Sequence, residues 1–146
     1  MITFNFRKER SSLLGTIYRP MTLVLFQNKI TGTFKPVSMI VDTGADYTLL
    51  PKFLALNLGI NLSKDCRRLQ TSGVGGNETV FFCKEKIYVR LGEWKRKIPL
   101  GFLDNDFIPP LFGRHQFFET FRTVFNHHQL TFSLPWKFFL VLPINR

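Results

Sequence analysis

Apolar and polar residues alternate with a period of two along much of this chain, the spacing of strands that turn one face to a core. Thr22-Leu23-Val24-Leu25-Phe26 is rich in β-formers and ends at Gln27-Asn28-Lys29, which predicts a strand followed by a hairpin turn. Two further strands are expected over residues 31–34 and 36–41. Residues 49–58 suit a helical turn or two, closed by Gly59. Two β-prone arms then flank Gly73-Val74-Gly75-Gly76, the pattern of a hairpin with a glycine-rich tip. Residues 86–91 and 97–102 predict a second hairpin about Gly92-Glu93, with Ile87, Val89 and Leu91 on one face. One segment has helical spacing: Phe117, Phe121 and Val124 recur within 115–125, and strand character returns at 129–134. The expected architecture is a mainly β domain with one late helix.

Composition narrows this picture. A chain of 146 residues with 45% hydrophobic and 15% aromatic content fits one packed domain, not two and not a disordered chain. The apolar ends are too short to span a bilayer, so no membrane association is expected. The net charge of +10 is spread over short clusters without an arginine-rich tail or a known nucleic-acid motif, which points to a solvated basic surface and away from nucleic acid. Cys66 and Cys83 are too few for a disulfide framework; with no secretory signal they read as thiols of a cytoplasmic protein. They flank the glycine-tipped hairpin and could approach each other across its arms. Adjacent His127 and His128 point in opposite directions on a strand or turn, so no metal is expected there, and no cofactor elsewhere.

Against this background one stretch stands out. Residues 37–51 read VSMIVDTGADYTLLP, with two carboxylates set between apolar flanks. Buried charge is costly unless it is paired or used. A loop held by two buried strands is a rigid platform for a catalytic carboxylate. Asp-Thr-Gly alone is a weak signal, since it also occurs in ordinary turns. Two later features add to it: the hairpin tip GVGG and the apolar run PLFGR, which ends at Gly113-Arg114.

MIVDTGAD, GVGG and PLFGR, in this order, resemble the retropepsin-like aspartic proteases, the single-domain family that includes the retroviral enzymes. The resemblance covers roughly residues 17–133 and leaves 134–146 as a C-terminal extension, a candidate dimer-interface strand with which residues 2–6 could pair. It implies an acid-protease half-barrel with a flap hairpin and one C-terminal-side helix, paired as a two-fold homodimer. It also implies an endopeptidase, in which a water is activated between two aspartates that share a proton. The chain holds a single Asp-Thr-Gly, so the second Asp42 would come from a second copy across an isologous interface.

The same resemblance assigns roles around the catalytic Asp42. Thr43 would hydrogen-bond across the dimer axis, Gly44 would let the backbone approach the carboxylate, and Ala45 completes the loop. Ala45 lacks the hydroxyl that two-domain pepsin-like enzymes carry there, which implies activity outside strongly acidic buffer. Asp46 and Arg114 would form a structural ion pair near the interface, bidentate and relieving the burial of Asp46. Gly113 ends the strand before the expected helix. Gly73, Val74, Gly75 and Gly76 would form a flap over an extended peptide substrate. The alternatives are a retropepsin-fold dimer that binds peptides without cleaving them and, more remotely, a basic nucleic-acid-binding β domain.

Overall fold

Thr22, Val24 and Phe26 point into a core and Leu23 points out, as the alternation requires, within one strand of a nine-stranded sheet. The computed structural model describes residues 1–73 and 76–133; Val74, Gly75 and the extension 134–146 lie outside the described residues. In chain order the described strands are β1 (Ile2–Asn5), β2 (Arg7–Ser11), β3 (Gly15–Arg19), β4 (Met21–Gln27), β5 (Phe34–Val41) and β6 (Thr48–Pro51). Two short helices follow, α1 (Leu54–Asn57) and α2 (Leu62–Asp65). Then come β7 (Cys66–Gly73), β8 (Gly76–Cys83), β9 (Ile87–Leu91), β10 (Trp94–Ile98), β11 (Leu100–Leu103), β12 (Leu111–Phe112), β13 (Arg122–Asn126) and β14 (Gln129–Ser133).

The large sheet runs β10-β9-β4-β5-β12-β6-β11-β8-β7. A second sheet, β1-β14-β13, and the separate β2–β3 hairpin complete the description. The mainly β expectation therefore holds. β11 lies between β6 (parallel) and β8 (antiparallel), and all four of its residues are buried, which explains its unbroken apolar sequence LGFL. Among the described residues, no helix is long and apolar enough to cross a membrane.

Three expectations change. Residues 31–33 belong to the β4–β5 turn, where the Asn28 amide donates to the Thr33 carbonyl and Gly32 takes a φ of 73°, so a single strand, β5, follows. The segment 97–102 is split at Pro99, with β10 closing the hairpin and β11 crossing to the far side of the sheet. The helix expected over 115–125 shrinks to one 3-10 turn, Phe118–Thr120, before β13 begins. The spacing of Phe117 and Phe121 is met by that turn, which buries both rings, while Thr123, Val124 and Phe125 join a five-pair ladder with β14. Ladder formation by β-branched and aromatic residues outweighs the local helical period. The N-terminal strand also finds a described partner, since β1 pairs with β14.

α2 is capped by Asn61, whose side chain accepts from the amides of Ser63 and Lys64. Asp65 closes the unit. Its carboxylate accepts the Asn61 amide at 2.9 Å and meets Lys29 Nζ at 3.1 Å. The Asn61 amide, then Lys29, hold the Asp65 carboxyl below the ordinary value. A depressed folded-state value gives stability that is present above the ordinary value of 3.8 and lost as pH falls through the folded one. Asp65→Asn should therefore flatten the fall in thermal midpoint between about pH 6 and about pH 3, measured by melting in both buffers.

Candidate active site

Two strands set the candidate active-site loop. β12 inserts between β5 and β6, parallel to the first (Leu111 opposite Ile40, Phe112 opposite Val41) and antiparallel to the second (Leu111 opposite Leu49). The loop 42–47 therefore spans the end of β12, and the chain leaving β12 runs beneath it. The Asp42 amide donates to the Phe112 carbonyl at 3.1 Å. The Arg114 amide donates to the Ala45 carbonyl at 3.0 Å, and the His115 amide to the Asp46 carbonyl at 2.8 Å. These bonds hold the loop from below.

Within the loop, the Gly44 amide donates to Asp42 Oδ1 at 2.9 Å and the Ala45 amide to the Asp42 carbonyl at 3.2 Å. Asp42 is half-buried, and one oxygen of its carboxylate is engaged by the Gly44 amide. A Cβ on residue 44 would stand 3.3 Å from Asp42 Oδ1, so the glycine permits the close approach. Thr43 is exposed beside it.

Arg114 Nη2 donates to Asp46 Oδ1 at 2.7 Å. The pair is not buried in the protomer, because the side chains are 50% exposed at Arg114 and 81% at Asp46. A single Nη2–Oδ1 contact is recorded where a bidentate bridge was expected. Asp46 escapes the cost of burial by standing in solvent, not by neutralisation inside the core. Beside it lies an open cleft of about 250 Å³, walled by Tyr47, Phe82, Pro99 and His115. The Tyr47 and Phe82 rings meet edge to face at 5.2 Å. Burial, then the Asp46 charge, raises the Tyr47 phenol above its ordinary value, so it stays neutral at physiological pH.

Gly73 and Gly76 face each other as the last described pair of the β7–β8 hairpin; Gly76 has a φ of 105°. Val74 and Gly75 lie outside the described residues. The two adjacent histidines occupy the β13–β14 turn, with the His128 ring stacked on Tyr18 at 4.0 Å. Among the described residues, no group of three or more His, Cys, Asp or Glu side chains is placed to hold a metal.

Two contributors escaped the sequence reading. Thr48 is fully buried, and its hydroxyl accepts the Gly113 amide at 3.2 Å. Its signal was a hydroxyl in the otherwise apolar run TLLP. Tyr47 supplies the backbone against which Gly113 packs. A Cβ on residue 113 would stand 2.6 Å from the Thr48 nitrogen and would collide with the Tyr47 carbonyl. Gly113 follows the end of β12, as the sequence implies, and it also packs closely against this backbone.

The order of the sequence motifs implied a retropepsin-like fold. Comparison with one solved structure agrees on the fold. A retropepsin-like aspartic protease from Rickettsia conorii superposes with a TM-score of 0.62 at 17% identity, over 89% of this chain and 98% of that one. The EIAV protease, complexed with the inhibitor HBY-793, gives a TM-score of 0.49 at 26% identity, over 66% of this chain and 82% of that one. A search of curated protein sequences returns no match. The family model described as "Aspartyl protease" matches residues 26–115, and the chain belongs to that family.

The clamp under the loop can be tested directly. Thr48→Val keeps the side-chain shape but leaves the buried Gly113 amide without its acceptor, which should cost about 1–3 kcal/mol by urea unfolding. Gly113→Ala forces backbone apart and should cost at least about 2 kcal/mol.

Proposed function

We propose that the protein is an aspartic endopeptidase that works as a two-fold homodimer, with one Asp42 from each subunit. The observation that carries this reading is the oriented Asp42 carboxylate, fixed by the Gly44 amide on a loop clamped by β12. Membership of the aspartyl protease family supports it. Peptide hydrolysis by this route needs two carboxylates, and the chain brings one Asp-Thr-Gly.

In the dimer the two Asp42 side chains share one proton, because like charges a few ångströms apart do not both ionise readily. The ionised member takes a proton from the attacking water, and the protonated member donates to the scissile carbonyl. Thr43, exposed beside Asp42, is assigned the bond across the axis. The solvent-facing Asp46–Arg114 pair is of the kind that a second subunit would cover. The β7–β8 hairpin acts as the flap, with its tip at 73–76 closing over an extended peptide bound as an added strand. The extension 134–146 is assigned to the dimer interface, and the enzyme to the cytoplasm on the ground of its two thiols.

The test is cleavage of a mixed peptide library between about pH 4 and pH 8, on the wild type and Asp42→Asn. The wild type should cleave, including near neutrality, and Asp42→Asn should lose about a thousandfold or more. Excess Asp42→Asn chain should also suppress wild-type activity by forming mixed dimers with one carboxylate. A wild-type dimer that binds peptides but cuts none would instead make the protein a peptide-binding member of the family.

A further inference from the structure

Cys66 and Cys83 belong to no part of the site described above. They are Cα partners at the root of the β7–β8 hairpin, next to α2, and both are buried. Their sulfurs lie 3.7 Å apart. The hydrogen-bond pattern shows what kind of pair this is. The Lys84 amide donates to the Asp65 carbonyl at 2.9 Å, so the adjacent pair, Asp65 and Lys84, is the hydrogen-bonded one. In an antiparallel ladder the two kinds alternate, which makes Cys66 and Cys83 a non-hydrogen-bonded pair, the kind with the closer side chains. Directly opposed residues also share one face of the hairpin.

We propose that Cys66 and Cys83 form a redox site, at which a hydroperoxide converts the cross-strand dithiol into an intrachain disulfide. Closing the sulfurs from 3.7 Å to about 2.05 Å needs side-chain rotation and little movement of the backbone, because the register already holds the two residues opposite each other. β7 is an edge strand of the sheet, with no strand on its outer side among the described residues, and Cys66 on it is taken as the attacking thiol. Its thiolate attacks one peroxide oxygen and the O–O bond breaks; the other oxygen leaves as alcohol, or as water from hydrogen peroxide. The sulfur of Cys83 then attacks the resulting sulfenic acid, the S–S bond forms, and water departs. Two thiols lose two electrons in all, and one hydroperoxide gains them.

Burial pushes both thiols above the ordinary cysteine value, so the resting pair is protonated, and the attack requires that Cys66 first lose its proton. The chain neighbour of Cys83, Phe82, packs on Tyr47 of the candidate site loop. The bond therefore clasps the hairpin one residue from a ring that touches that loop.

The full chain is exposed to hydrogen peroxide under native conditions, then denatured with an alkylating agent and weighed. The expected product is a monomeric chain lighter by two hydrogens and free of alkyl groups, with Cys66 and Cys83 in one cross-linked proteolytic fragment. A dithiol reductant should restore the starting mass. The oxidised chain should melt at least about 5 °C higher, since the bond closes the loop 66–83 in the unfolded state. Cys66→Ala and Cys83→Ala should each fail to give the lighter monomer. Recovery of two alkylated thiols, sulfinic or sulfonic acids, or disulfides between chains would overturn the proposal. Because the readout is mass, the result is independent of any peptidase activity.

Discussion

The arrangement of the candidate site depends on one backbone-to-backbone contact, that of Gly113 with the Tyr47–Thr48 peptide. Only a residue without a side chain lets the segment leaving β12 pass so close under the loop. That passage places the Phe112 carbonyl under the Asp42 amide and the Arg114 amide under the Ala45 carbonyl. It also brings the Gly113 amide to the buried hydroxyl of Thr48. Each bond is worth little alone, but together they leave the loop few alternative conformations. In the proposed homodimer, a carboxylate that acts with a mate needs this rigidity, since misplacement by about an ångström lowers the rate.

Asp42 and Asp46, four residues apart, meet opposite environments. Asp42 is held against its own loop by the Gly44 amide, and its setting is a matter of orientation. Asp46 reaches into solvent and is tied by one contact to Arg114. An exposed pair of this sort contributes about 0–1 kcal/mol to a single protomer.

The loop was the most legible part of the sequence, because Asp-Thr-Gly-Ala-Asp, the glycine-tipped hairpin and Gly113-Arg114 each carry a chemical reason for their residues. Strands with clean alternation, such as Met21–Gln27 and Ile87–Leu91, were equally plain. Long-range pairing was not. Phe117 and Phe121 have helical spacing, yet Arg122–Asn126 is claimed by β14, a partner that local periodicity does not register. The β2–β3 hairpin escaped notice because Arg7–Ser11 is almost wholly polar; its register is accompanied by Glu9 bridging Arg7 and Arg19. Thr48 was hidden for a related reason, since its partner stands 65 residues further along the chain.

That separation has a consequence for how the protein comes into being. A chain made from its N-terminus carries the loop 42–47 well before its supports beyond β12 exist, because Arg114 follows Asp46 by 68 positions. At the usual pace of about 5–20 residues per second, the ribosome needs several seconds to cover that distance. Throughout that interval the slot between β5 and β6 is vacant, and neither strand has its ladder neighbour from β12. A newborn chain thus carries the chemical group without the geometry, and the loop takes shape only when most of the sheet has been synthesised.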